Sequence, residues 1–98
     1  MELHEEIEKY FPIIEKLFKK NDLQGFINTP AENLYQYHFG LGTWIRNNLL
    51  VEESLLYQLF IENYIDNKDD MSSMIIKLFY ENLLENQPKR RRINGAPL

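Results

Sequence analysis

Cysteine is absent from the 98 residues, and that excludes a disulfide framework, thiol nucleophiles and cysteine-ligated zinc or iron–sulfur centres. A reducing, cytoplasmic setting is expected. No stretch of about eighteen apolar residues occurs, and the opening Met1-Glu2-Leu3-His4-Glu5-Glu6 is acidic where a secretory leader would be apolar. Neither a membrane span nor a leader is therefore expected. Histidine is scarce, with only His4 and His38, and there is no glycine-rich phosphate loop, no H-E-x-x-H helix and no G-x-S-x-G turn. Asp69-Asp70 with Asp66 lacks the glycine and the terminal glutamate of a calcium loop, so helix capping accounts for it better. The expectation is a non-enzyme: no catalytic residue, no cofactor and no metal site.

What is present describes a small aromatic globule. Hydrophobic residues make up 44% of the chain and aromatic residues 13%, enough for a bulky core in one domain. The formal net charge of −4 conceals two regimes. Residues 1–86 carry 15 acids and 7 bases, whereas residues 87–98 carry Lys89, Arg90, Arg91 and Arg92 and no acid. The body would repel a phosphate backbone, and only the tail could attract one.

Apolar residues recur at helical spacing throughout, with no alternation of the kind strands show. Ile7, Tyr10, Phe11, Ile14, Leu17 and Phe18 share one side of residues 4–20, with a break expected near Phe11 because Pro12 falls inside the pattern. Asn21 to Asn28 reads as a connector with one short turn that brings Leu23, Phe26 and Ile27 to the core. Thr29-Pro30-Ala31-Glu32 has capping-box order and starts a helix running to about Leu49 or Leu50. A third helix begins at Val51-Glu52-Glu53, with Leu55, Leu56, Leu59, Phe60 and Tyr64 on its apolar side. A fourth, capped by Asp69 or Asp70, places Met71, Met74, Ile75, Leu78, Phe79, Asn82 and Leu83 on one side until Gln87-Pro88. The predicted architecture is all-α: an irregular bundle of four to five helices as a single domain over residues 1–86, followed by a flexible basic tail over 87–98.

Projected as one helix at about 100° per residue, residues 34–49 place Leu34, Tyr37, Leu41, Trp44, Ile45 and Leu49 in a single apolar arc. His38 and Asn48 fall in that arc, so they either bridge to neighbouring helices or line a pocket. Gly40 and Gly42 are costly in a helix interior. Gly42 lies on the side of Tyr35, Phe39 and Arg46, which predicts a notch where the Arg46 guanidinium is framed by aromatic rings. There it would meet a ligand carboxylate or, alternatively, pair with Asp66, Asp69, Asp70 or Glu62.

The run Tyr37-His38-Phe39-Gly40-Leu41-Gly42-Thr43-Trp44-Ile45-Arg46-Asn47-Asn48, with Asp69-Asp70-Met71-Ser72 downstream, resembles a family of small bacterial domains of unknown function. Its members share a His-Phe-Gly-Leu-Gly-x-Trp-Ile-Arg-Asn-Asn core and an Asp-Asp-x-Ser helix start. The likeness covers roughly residues 26–84 and leaves the first helix and the tail outside. It implies that the motif helix and the Asp69–Ser72 cap form one unit, and it implies no activity.

The leading functional expectation is a small acidic protein-interaction module of bacterial or phage origin. It would bind a protein partner through acidic helical surface such as Glu52, Glu53 and Glu62, as an inhibitor or immunity-type antagonist. Nucleic-acid association through Lys89, Arg90, Arg91 and Arg92 is the alternative. A third reading is a small-molecule site or enzyme pocket around His38 and Arg46. The candidate binding residues are His38, Gly42, Trp44, Arg46, Asn47, Asn48, Asp69 and Asp70, and a homodimer through Tyr57, Phe60 or Tyr64 is a further option.

Overall fold

Prolines, polar caps and one left-handed residue cut the chain into short helical pieces. The computed structural model describes residues 2–86. Its elements are α1 (Leu3–Glu8), α2 (Phe11–Glu15), α3 (Lys20–Ile27), a 3-10 helix (Ala31–Tyr37), α4 (Leu41–Asn48), α5 (Leu55–Glu62) and α6 (Lys68–Glu85). No strand occurs among the described residues. The all-α class is as the periodicity predicts, but the pieces outnumber the four or five expected. The proposed tail, with Lys89 and Arg90 to Arg92, lies outside the described residues.

Each boundary has a local cause. Pro12 sits in the first turn of α2, where its missing N–H costs nothing, and α1 ends before it. Residues 20–27 form a full helix rather than a connector, since Leu23, Phe26 and Ile27 lie one turn apart and pack against α6. The Ser54 hydroxyl accepts from the Tyr57 N–H at 3.0 Å and starts α5. After α5, Tyr64 adopts φ 65° and turns the chain. Asn67, not Asp69 or Asp70, caps α6, accepting from both of their N–H groups at 2.7 and 3.2 Å. The two aspartates occupy the first turn instead, where negative charge meets the positive end of the helix dipole.

The long helix expected from Thr29 to Leu49 is interrupted, and the expected capping box does not form. Pro30 is the cap residue and has no side-chain bond to offer. The Thr29 hydroxyl points backward to the Gly25 carbonyl at 2.8 Å, and the Thr29 carbonyl accepts the buried Tyr80 hydroxyl at 2.6 Å. Residues 31–37 therefore wind as a 3-10 helix of seven residues, longer than the usual single turn. A turn over residues 38–40 then leads into α4, with Gly40 in an irregular conformation (φ −84°, ψ −80°).

The core lies against α6, which contacts α3, the 3-10 helix and α4, while α1 packs on α5. Phe26 is fully buried at its centre. Its ring stacks on Phe79 at 5.5 Å and meets Tyr37 (4.8 Å) and Tyr80 (5.7 Å) edge-on, with Phe18 tilted at 5.3 Å. Three elements and the link between α2 and α3 thus converge on one aromatic cluster. Ile7, Phe11, Ile14, Ile45, Leu50, Leu56, Phe60, Met71 and Ile75 complete the interior. Three expected core positions face outward: Leu17 is 45% exposed, Leu55 is exposed, and Tyr64 is 94% exposed. Phe60 is wholly core and is not free to form a dimer contact.

Glu6, expected on the solvent side of α1, is buried, with Lys9 Nζ at 3.0 Å and the Tyr10 hydroxyl donating to it at 3.3 Å. Burial pushes the Tyr10 hydroxyl above the usual phenol range, and the Glu6 carboxylate pushes it further.

Phe26→Ala should cost about 3–5 kcal/mol in chemical denaturation, as expected for an emptied aromatic core site. Leu17→Ala should change stability by less than about 1 kcal/mol. Comparable losses at the two positions would show that the aromatic cluster is not the centre of the fold.

Candidate functional site

Two features meet around the 38–40 turn: a polar brace centred on Arg46 and an apolar groove beside it. The brace begins with Gly42 in the first turn of α4. A Cβ added there would lie 3.0 Å from Arg46 Nη1, so the missing side chain makes room for the guanidinium. Arg46 Nη1 donates to Ser72 Oγ at 2.9 Å, and Nη2 donates to Thr43 Oγ1 at 3.0 Å and to the His38 carbonyl at 3.3 Å. Its Nε lies 3.6 Å from Asp69 Oδ1, an ion pair longer than a hydrogen bond. His38 Nε2 lies 3.7 Å from the same oxygen. Ser72 is fully buried and donates to the Asp69 carbonyl at 3.0 Å. One guanidinium thereby ties α4, the turn and the start of α6 together.

This arrangement holds structure and offers little chemistry. The guanidinium's inner donors are spent on protein oxygens, so few remain for a ligand carboxylate. The Ser72 hydroxyl donates its proton to a backbone carbonyl, faces a cation and has no solvent access, the reverse of what a nucleophile needs. Among the described residues no group of three or more His, Asp or Glu side chains is placed to hold a metal ion.

The groove runs between the 3-10 helix and α6, with a volume of about 530 Å³. Ala31, Leu34, Tyr35, Phe39, Ile76 and Tyr80 supply its apolar surface, and Glu32, His38, Ser73, Lys77 and Glu81 its polar rim. Tyr35 is 76% exposed and Phe39 83% exposed. Phe39 meets the His38 ring edge-on at 5.3 Å. The brace positions this wall, because the carbonyl of His38, next to Phe39, is one of the acceptors of Arg46.

The site residues expected from the sequence divide accordingly. His38, Gly42, Arg46 and Asp69 come together with Ser72, whose role was not anticipated. Of the eight candidates only His38 also lines the groove. Trp44 is partly buried and packs against the core. Asn47 and Asn48 are exposed, and the Asn48 amide bonds back to the Trp44 carbonyl at 2.9 Å. The break at 38–40 rotates α4 relative to the single helix assumed in the projection, which takes Asn48 out of the apolar arc. Tyr35 and Phe39 do not frame the guanidinium but face solvent. The groove itself was missed, although three rings within five residues, at Tyr35, Tyr37 and Phe39, were a legible signal.

Fold and site together define a small all-helical domain with an open apolar groove held by a half-buried arginine. The chain belongs to the family described as a domain of unknown function, DUF6794, whose model matches residues 5–83. The match reaches back to residue 5 and so takes in the first helix, which the motif resemblance, over roughly residues 26–84, had left outside. Comparisons with curated proteins and with solved structures find no match.

Gly42→Ala tests the brace through a change of sign. With Arg46 present the new methyl collides with a pinned guanidinium, and stability should fall by about 1 kcal/mol. In an Arg46→Ala background the same change should stabilise by up to about 1 kcal/mol through helix propensity. Arg46→Ala alone should cost about 2–3 kcal/mol, since charged hydrogen bonds are lost and buried acceptors left unpaired. Additive effects in the double variant, measured by urea unfolding, would count against the notch.

Proposed function

We propose that this domain is a protein-interaction module that takes apolar side chains of a partner into the groove between the 3-10 helix and α6. The observation that carries this reading is the pair of aromatic rings, Tyr35 and Phe39, held in solvent at the rim of an apolar groove. Large exposed aromatic surface beside a preformed concavity is unfavourable for the free protein, and it suits a partner that would cover it. The brace supports the same reading, because a wall fixed before binding loses little entropy on docking. Inhibition of the partner is one activity such a module would have, and the acidic body suits a basic target. The binding surface proposed is the groove rather than Glu52, Glu53 and Glu62, which lie on or before α5 outside it.

A second reading has one observation in its favour. The groove volume falls within the range of small-molecule pockets, about 300–1,000 Å³, so an apolar metabolite is an alternative occupant. His38, Lys77 and Ser73 would then supply its polar contacts.

A Tyr35→Ala/Phe39→Ala double variant separates folding from recognition. Both rings are exposed, so the melting temperature should move by no more than a few degrees. Quantitative affinity capture should show a protein retained by wild type and by a Glu52→Lys/Glu53→Lys control but lost from the double variant. Identical proteins on all three baits would exclude the groove as the contact. A melting temperature raised by a metabolite in the wild type alone would favour the second reading.

A further inference from the structure

We infer that the partner segment is a short amphipathic helix with apolar anchors along its middle and Lys or Arg at one end, docked so that these cations meet Glu32 and Glu81. This deepens the interaction reading above and rests on it. The groove walls run in opposite directions. The Tyr80 hydroxyl on the Thr29 carbonyl, at 2.6 Å, fixes one end, and the approach of His38 to Asp69, at 3.7 Å, fixes the other. Between Ser73 and Glu81 the α6 wall is about 12 Å long, room for about two helical turns. Two turns present apolar side chains at i, i+3 or i+4 and i+7, a match for the space between Leu34, Tyr35, Phe39 and Ile76. No strand edge lies among the described residues for an extended segment to pair with along its backbone, whereas a helix satisfies its own.

Charge sets the direction. Glu32 and Glu81 both line the groove, both are exposed, and they lie toward the Thr29–Tyr80 end. Neither makes an ion pair among the described residues. Lys77 stands one helical turn closer to the other end, likewise outside any ion pair, and disfavours a cation at the centre. At the far end His38 already faces Asp69 and Arg46. A ligand's cation is therefore placed best at Glu32 and Glu81, its apolar residues in the middle and an acid, if present, against Lys77. The excess of 15 acids over 7 bases in residues 1–86 adds long-range attraction for a basic segment and repels an acidic one.

The test uses the full chain and labelled synthetic peptides of about twelve residues, with leucines along one helical face. Three versions carry paired Lys, Gln or Glu at one end, and a fourth scrambles the Lys version so that its leucines share no face. In fluorescence anisotropy at low salt the Lys peptide should bind about tenfold tighter than the Glu peptide, with Gln between, and the preference should shrink as salt rises. Glu32→Gln/Glu81→Gln should abolish the preference, Glu52→Gln/Glu53→Gln should leave it, and Lys77→Gln should not weaken the Lys peptide. Phe39→Ala should weaken all three facial peptides alike, and the scrambled peptide should bind poorly throughout.

Equal binding of the Lys, Gln and Glu versions would overturn the proposed partner chemistry while leaving the groove as a docking site. No binding by any of them would remove both. Tight binding of the scrambled peptide would reduce the effect to diffuse charge attraction and overturn the inference. Affinity rising about tenfold on deletion of residues 87–98 would identify the chain's own basic segment as occupant, on the scale of a site otherwise occluded about nine-tenths of the time. A dimer in sedimentation that dissociates on Phe39→Ala would identify a second copy. Either result replaces the partner helix.

Discussion

A single guanidinium sets the geometry of one half of this molecule. Arg46 comes from α4, and beyond Thr43 of its own helix it binds the preceding turn and the N-terminal part of α6. A cation placed there faces the positive end of the α6 dipole, which by itself is unfavourable. Asp69, in the first turn of α6 and 3.6 Å from Arg46 Nε, offsets that repulsion, so an acid that read as a cap in the sequence faces the arginine instead. Asp69 is largely exposed and its ion pairs are long, so solvent screens it and it contributes modestly. The short bonds to Ser72 and Thr43 carry more. Lysine would not substitute, since its point charge cannot reach several oxygens in a plane.

The other half depends on aromatic packing, and the two halves meet in residues 29–40. Phe26 anchors Tyr37 from one side, Arg46 holds the His38 carbonyl from the other, and Tyr80 secures Thr29. A segment tied at three points has little freedom to adopt a regular α-helix. Its 3-10 winding turns Tyr35, and the turn that follows it turns Phe39, away from the core while Leu34 and Tyr37 stay packed against it.

Much of this was legible in the residues. Ile7, Phe11 and Ile14 identified the buried side of the first two helices, Pro12 their break, and Met71, Ile75 and Phe79 the inner face of α6. The pairing of Gly42 with Arg46 followed from helical spacing, and charge offered Asp69 as one of four acids for the arginine. What escaped was tertiary. Thr29 has the sequence of a cap, but its carbonyl is claimed by Tyr80, fifty-one residues away, and its hydroxyl by the preceding helix. A wheel drawn through residues 34–49 assumes one continuous helix. Once the chain breaks at His38 to Gly40, positions beyond the break rotate and Asn48 leaves the arc. Leu17 reads as core by period, yet α2 ends at Glu15 and the periodicity ends with it.

The two sides of the groove face different constraints. Ile76 and Tyr80 belong to the floor and to the core at once, so changing them alters the fold and the groove together. Tyr35, Phe39, Glu32 and Glu81 stand on the rim, exposed and outside the core. Over evolutionary time the floor is bound to drift slowly, while the rim is free to be rewritten one residue at a time. If the groove docks a partner as proposed, a domain so divided could exchange one partner for another, or follow a partner that is itself changing, without passing through an unfolded ancestor.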